Sequence, residues 1–304
     1  MSDDVATDRI ITGDCLEVLA DLPAESVHSV MTSPPYWNLR DYGHDDQLGL
    51  EPDSDDYVQN IADVMDEVKR VLRPDGSLWL NLGDTYDDKN LQQIPARVSL
   101  ELQQRGWILR NRVTWAKPNP MPQSVKDRLN DTTEAIFHFV KSKGYWYDLD
   151  AIREPYGEFA QRVQENPQWE RTGEEKRAEN SPGKHVIYDE GKSRADAYHP
   201  AGKNPGDVFE VTTKPFPEAH FAVYPPELCE KPIKATCPDG GIVLDPFAGA
   251  GTTLLKAKEL GRKFIGIELN PEYADMARAR VGLTPNDPSV VRDDDGQEGL
   301  EAFE

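Results

Sequence analysis

Short apolar runs alternate along this chain with longer stretches whose apolar residues recur every three to four positions. Arg9-Ile10-Ile11-Thr12 reads as a strand that ends near Asp14, followed by a helix from Cys15 to Leu22. His28-Ser29-Val30-Met31 is a second apolar run. From Tyr57 to Leu72, apolar side chains at Val58, Ile61, Val64, Met65, Val68 and Val71 predict an amphipathic helix stopped by Arg73-Pro74-Asp75-Gly76. Ser77 to Leu82 is a buried strand and Ile94 to Arg105 another amphipathic helix. Arg110–Ala116 and Glu134–Val140 predict a hairpin, and Asp207–Val211 a short strand or loop. A helix ending near Cys237, a strand at Ile242–Leu244, a helix from Leu254, a strand at Phe264–Glu268 and a helix at Pro271–Val281 complete the series. Strands alternating with helices predict an α/β protein, a doubly wound and mostly parallel sheet. The pattern breaks twice. Residues 151–206 are polar and without periodicity, and residues 285–304 hold seven acids and one Arg, an expected disordered tail.

Two stretches carry chemistry. Thr32-Ser33-Pro34-Pro35-Tyr36-Trp37 follows the second apolar run. Two prolines in series remove two backbone donors and fix φ twice, so this is a rigid loop leaving a strand. It offers a hydroxyl at Ser33, a carbonyl at Pro34 and an aromatic face at Tyr36, a set that suits a flipped nucleobase with an amino group. An ordinary Pro-Pro turn would read the same way on its own. Some 200 residues on, Ile242-Val243-Leu244-Asp245-Pro246-Phe247-Ala248-Gly249-Ala250-Gly251-Thr252-Thr253 runs from strand through a glycine turn into a helix. This is the frame of a nucleotide-type cofactor site. Leu254 stands where a third glycine would serve a pyrophosphate, which favours a cofactor without phosphates. Glu268 ends the next strand, 19 positions after Gly249, where an acid accepts from ribose hydroxyls.

The pairing of TSPPYW with a later DPFAGAGTT and FIGIELN resembles the S-adenosylmethionine-dependent DNA amino-methyltransferases, in the arrangement where the catalytic motif precedes the cofactor motif. The resemblance covers most of residues 9–281 apart from roughly 151–205. It implies a Rossmann-like, circularly permuted sheet of seven strands with one antiparallel member. Residues 1–150 would be its catalytic part, 151–206 an inserted target-recognition region and 207–284 its cofactor-binding part. It implies Ser33, Pro34, Pro35 and Tyr36 as the catalytic loop, with Asp14 at the cofactor's adenine unless it only caps a helix. Phe221, Asp245, Phe247, Gly249, Gly251, Thr252 and Glu268 would complete the cofactor set. Members with Ser before Pro-Pro often act on cytosine N4, those with Asp there on adenine N6. The implied activity is therefore transfer of a methyl group to cytosine N4 in double-stranded DNA. Adenine N6 methylation, and a non-catalytic nucleic-acid-binding module, are the alternatives. A partner restriction endonuclease and a homodimer are left open. Carbon-5 cytosine methylases use a Pro-Cys nucleophile; Cys237-Pro238 has the reverse order and reads as a helix end.

Charge changes this picture in one respect. A net charge of −21 is unusual for a protein that meets phosphates. Residues 105–206, however, hold 17 Lys and Arg against 15 Asp and Glu, while the rest of the chain holds 17 against 40. Arg110, Arg112, Lys117, Lys126 and Arg128 lie in that middle stretch and are the phosphate-contact candidates. An acidic surface elsewhere suits molar salt, where the Debye length is about 3 Å, and so a halophilic source. The three cysteines lack metal-ligand spacing, and no run approaches the roughly 18 apolar residues of a membrane span. A cytoplasmic, metal-free protein is expected.

Overall fold

A computed structural model of the chain describes residues 5–41, 43, 47–158, 161, 198–213 and 223–283. Phe221 and the expected tail at 285–304 lie outside the described residues. The described chain divides into two compact units, residues 148–206 and the remainder.

The larger unit is built on one sheet. In chain order its elements are β1 (Arg9–Thr12), α1 (Cys15–Asp21), β2 (Val27–Thr32), α2 (Ser54–Val71) and β3 (Leu72–Leu82). A small hairpin follows, β4 (Tyr86–Asp87) and β5 (Asn90–Leu91), then α3 (Ile94–Gln104), β6 (Ile108–Ala116), β7 (Thr133–Val140) and β8 (Val208–Glu210). The series ends with α4 (Glu227–Thr236), β9 (Ile242–Asp245), α5 (Thr252–Glu259), β10 (Lys263–Glu268) and α6 (Pro271–Val281). The strand order is β1-β10-β9-β2-β3-β7-β6-β8. Only β7 runs against its neighbours; every other described pair in this sheet is parallel. Among the described residues this sheet thus has eight strands rather than the expected seven. The extra one is β8, short enough to pass for a loop, which gains a ladder because Thr114–Ala116 pair with it.

The central strands read as nearly continuous apolar runs because both faces are covered. One face packs under α1, α2 and α3 through residues such as Leu19, Ile61, Val68, Val98 and Leu102. The other packs under α4, α5 and α6 through Ile233, Leu254, Ala257 and Ala277. Helix α2 starts three residues before the expected Tyr57, because the Asp53 side chain accepts from Asp55 N at 2.7 Å and caps it. The glycine turn after β9 is held close to α6: a Cβ on Gly251, whose φ is +73°, would sit 3.0 Å from Ala277 Cβ. The result that matters for function is adjacency. Strands β2 and β9 are distant in sequence but pair directly, Ser29 with Val243 and Val30 with Leu244. Their loops therefore leave the same carboxyl edge, where open α/β sheets bind ligands.

In the smaller unit, the described residues form a 3₁₀ turn at Asp150–Ile152 and an antiparallel bridge between Glu154 and Lys203. Arg153 pairs with Asp150 at 2.6 Å, and the rings of Tyr156 and Tyr198 meet edge to face.

Candidate functional site

A cleft of about 930 Å³ opens at that carboxyl edge of the larger unit. Its walls come from loops after β1, β2, β9 and β10 and from the ends of β3, β6 and β7.

On one side the sequence turn after β9 is intact. Phe247, Gly249 and Thr252 line the cleft, and so do Asp14 and Glu268. Glu268 Oε2 accepts from Gly249 N at 2.7 Å and Oε1 from Asn270 N at 3.0 Å, so two backbone donors fix the carboxylate. Burial nevertheless holds its pKa above the ordinary value for Glu, those bonds only partly offsetting it. Asp14 caps α1 through Oδ1, which accepts from Leu16 N at 2.8 Å and Glu17 N at 3.1 Å, and still faces the cleft. Both readings of Asp14 are therefore geometrically compatible. Gly251 and Asp245 stand behind the lining. Asp245 is buried and accepts from Thr32 Oγ1 at 2.7 Å, Phe247 N at 3.1 Å and Tyr224 OH at 3.3 Å. It locks the ends of β2 and β9 together, a task not visible in its motif.

The other side is built on Ser33, Pro34, Pro35 and Tyr36, all of which line the cleft. The Pro35 carbonyl accepts from Tyr57 OH at 2.8 Å, which ties the rigid loop to α2. The Tyr36 ring lies against Gly83, where a Cβ would be 2.4 Å from Cε2. Behind the loop is a polar chain. Ser33 Oγ donates to Tyr36 OH at 3.2 Å, and Tyr36 OH donates to Glu134 Oε2 at 2.7 Å. Asn81 Nδ2 lies 2.8 Å from Tyr36 OH, 2.9 Å from Glu134 Oε2 and 3.3 Å from Ser33 Oγ. Lys117 Nζ donates to Glu134 Oε1 and sits 4.6 Å from the Trp115 ring centroid. Burial, and next the Glu134 charge, raise the Tyr36 pKa well above its usual value, so the phenol stays protonated.

The five basic candidates separate. Lys117 is turned into the cleft by Glu134. Arg128 is held by Asp131 at 2.9 Å and lies 4.0 Å from the Tyr86 ring centroid. Arg110 donates to Tyr145 OH at 3.0 Å while remaining exposed, and Arg112 and Lys126 are exposed. Asn119, on the same loop, exchanges hydrogen bonds with Thr213 at 2.9 Å. Asp84, just after β3, accepts from Thr85 N at 2.9 Å and Ile94 N at 3.1 Å and so anchors the start of α3.

Sequence reasoning missed Asn81 and Glu134 as site residues. Asn81 had one available signal, an amide inside the apolar run Ser77–Leu82, where an unpaired polar side chain is costly. Glu134 gave none beyond opening a strand. Among the described residues no group of His, Cys, Asp and Glu could hold a metal ion, and no helix is long and apolar enough to cross a membrane. The three cysteines are buried.

The DNA methylase family pattern matches residues 27–279. The Type II methyltransferase M.Cfr9I of Citrobacter freundii is 38% identical over 312 residues, covering 93% of this chain and 90% of its own. The Type II methyltransferase M.SmaI of Serratia marcescens is 35% identical over 302 residues, with 90% of each chain covered. Among solved structures, the PvuII DNA methyltransferase (cytosine-N4-specific) superposes with a TM-score of 0.65 at 22% identity, covering 93% of this chain and 90% of that one. A protein proposed to be a DNA modification methylase, from Thermus thermophilus and complexed with S-adenosyl-L-methionine, gives 0.57 at 26% identity, covering 90% and 94%.

Proposed function

The chain belongs to the DNA methylase family, and we propose that it transfers a methyl group from S-adenosylmethionine to the exocyclic N4 of cytosine in double-stranded DNA, in the cytoplasm. The residues present fit that cofactor. The β9 turn offers a glycine-lined wall without the third glycine of a pyrophosphate site, and two acids, Asp14 and Glu268, face the same space. Bound there, S-adenosylmethionine supplies an electrophilic methyl group on a sulfonium. Glu268 accepts from the ribose hydroxyls, Asp14 from the adenine amine, and Phe247 packs on the apolar face.

The observation that carries the reading is the shared cleft: Ser33 and Pro34 stand at one wall and Glu268 at the other. An exocyclic amine is a poor nucleophile because its lone pair is delocalised into the ring. Ser33 Oγ and the Pro34 carbonyl accept its two N–H bonds and favour a pyramidal nitrogen, while Tyr36 presents its ring to the flipped base. Positioning then supplies most of the acceleration. Arg110, Arg112 and Lys126 contact phosphates, and the 151–206 region reads the target sequence. The related Type II methyltransferases support DNA as the substrate. Adenine N6 remains the second reading, since its amine meets the same two acceptors. Digesting enzyme-methylated DNA to deoxynucleosides and weighing them tests the proposal: N4-methyl-2′-deoxycytidine is expected, and N6-methyl-2′-deoxyadenosine alone overturns the base assignment.

A further inference from the structure

The polar chain behind the catalytic loop has a direction. A carboxylate only accepts hydrogen bonds, so Glu134 obliges Tyr36 OH, the Asn81 amide nitrogen and Lys117 Nζ all to donate toward it. The same requirement fixes which way round the Asn81 amide sits. With its own proton committed to Glu134, the Tyr36 oxygen can only accept, and Ser33 Oγ donates to it. Asn81 Nδ2 approaches Ser33 Oγ as a second donor. The Ser33 oxygen is thereby left presenting a lone pair to the cleft. A serine free to rotate could instead point its proton at the incoming amine and oppose it.

We propose that Glu134 is a positioning residue for methyl transfer: through Tyr36 it holds Ser33 as an acceptor, and it receives the proton that the amine must lose. This rests on the reading above that Ser33 meets the target amine. The balance is simple. The N–CH₃ bond forms as the C–S bond breaks, leaving a positively charged nitrogen with a surplus N–H. That proton passes to Ser33 Oγ, the Ser33 proton to the Tyr36 oxygen, and the Tyr36 proton to Glu134 Oε2. The nitrogen and both hydroxyls end neutral, Glu134 ends protonated, and no oxidant or co-reactant is required. Tyr36 takes up one proton as it gives up another, so its raised pKa is no obstacle. Lys117, on the far oxygen of Glu134, holds that carboxylate in place beforehand.

The test uses the full chain and a methylatable duplex, with single-turnover rates at saturating DNA and S-adenosylmethionine, in H₂O and in D₂O. Glu134→Gln keeps the shape but takes no proton; Tyr36→Phe keeps the ring and cuts the chain. Each should lower the rate on the order of 10²-fold, the scale of one general-base contribution. The double variant should be no slower than either single one. Both should lose the parental solvent isotope effect, with DNA and cofactor affinities held within about twofold. Glu134→Asp should recover part of the rate. A parental rate in either single variant, multiplying losses, or losses that track weakened DNA or cofactor binding would overturn the relay. Should Glu134→Gln not fold, Tyr36→Phe alone decides. Ser33→Ala in the same assay separates the two levels of inference: if it too runs at the parental rate, the placement of the amine fails. If only Ser33→Ala is slow, the relay fails and the placement stands.

Discussion

The two walls of the cleft are built in opposite ways. The β9 side is mostly local: Phe247, Gly249 and Glu268 lie within a single strand, turn, helix and strand, backbone donors fix the Glu268 carboxylate, and Asp14 alone joins them from the end of β1. The β2 side is assembled from afar. Ser33, Asn81, Lys117 and Glu134 come from the ends of four different strands, and side chains hold one another there. A wall shaped by backbone tolerates side-chain change outside its contact residues. A wall made of a side-chain chain depends on every member, because removing one partner leaves the next buried group unsatisfied.

The sharpest way to separate the walls is Ser33→Ala. The Pro-Pro backbone and nearly all packing survive, and the Tyr36 oxygen keeps the Asn81 amide as a donor, so stability and cofactor affinity should barely change. One acceptor for a nitrogen that gains positive charge is lost, and turnover should fall on the order of 10²–10³-fold. Rates measured at saturating DNA and cofactor check this; a parental rate would remove the loop from the chemistry.

Glu268→Ala should do the reverse. Cofactor affinity should weaken by about 1.5–3 kcal/mol, the range for hydrogen bonds to a charged group, with turnover at saturating cofactor largely kept. Calorimetric titration reads it directly, and unchanged affinity would take Glu268 out of the site. If both variants lose the same parameter, the two walls are not separate.

The same contrast explains what could be read from the residues alone. The β9 wall was legible because glycine placement, strand ends and a spacing of 19 residues are properties of contiguous sequence. Its one surprise, Asp245, arose because the partners Thr32 and Tyr224 come from elsewhere in the chain. On the β2 wall only the Thr32–Trp37 stretch was legible. Asn81 and Glu134 acquire their places from the pairing of β3 with β7, where Asn81 stands opposite Ile136 and Leu82 opposite Ala135, which brings the start of β7 beside the Ser33–Tyr36 loop. No local pattern encodes that register. The pairing of Lys117 with Glu134 was hidden for a related reason: a basic residue in a Pro-rich loop gives no local sign of a carboxylate that comes from another strand. The eighth strand was left between strand and loop because three residues carry almost no periodicity.

Two glycines give a smaller, matched comparison. A Cβ at position 83 meets the Tyr36 ring at 2.4 Å, whereas one at position 251 meets Ala277 at 3.0 Å and must accept a φ of +73°. Gly83→Ala should therefore cost about 1–3 kcal/mol of stability by overpacking and lower turnover through a displaced Tyr36. Gly251→Ala should cost more than the roughly 0.4–1 kcal/mol such a substitution gains where φ is compatible, and weaken cofactor binding instead. Denaturant unfolding with paired kinetic and binding assays tells them apart; the same functional loss in both would contradict the division.

The smallest expected effect concerns DNA held outside the cleft. Lys126 is exposed on the loop between β6 and β7, while the acid beside it, Asp127, is taken up by Lys89 at 2.7 Å. Lys126→Ala removes one cation while touching neither wall, so turnover and cofactor affinity should stay at parental values. Counterion release makes a phosphate contact a matter of salt slope rather than of base sequence: log affinity against log salt should become shallower by about one unit, equally for cognate and unrelated duplexes. The acidic remainder of the chain makes the measurement more telling. With 40 Asp and Glu against 17 Lys and Arg outside residues 105–206, added salt screens repulsion from that surface while it weakens phosphate contacts. If the acidic surface is an adaptation to molar salt, folding should persist above about 1 M KCl and fail in dilute buffer. An unchanged slope in Lys126→Ala would place the phosphates elsewhere, and stability confined to dilute buffer would remove the halophilic reading.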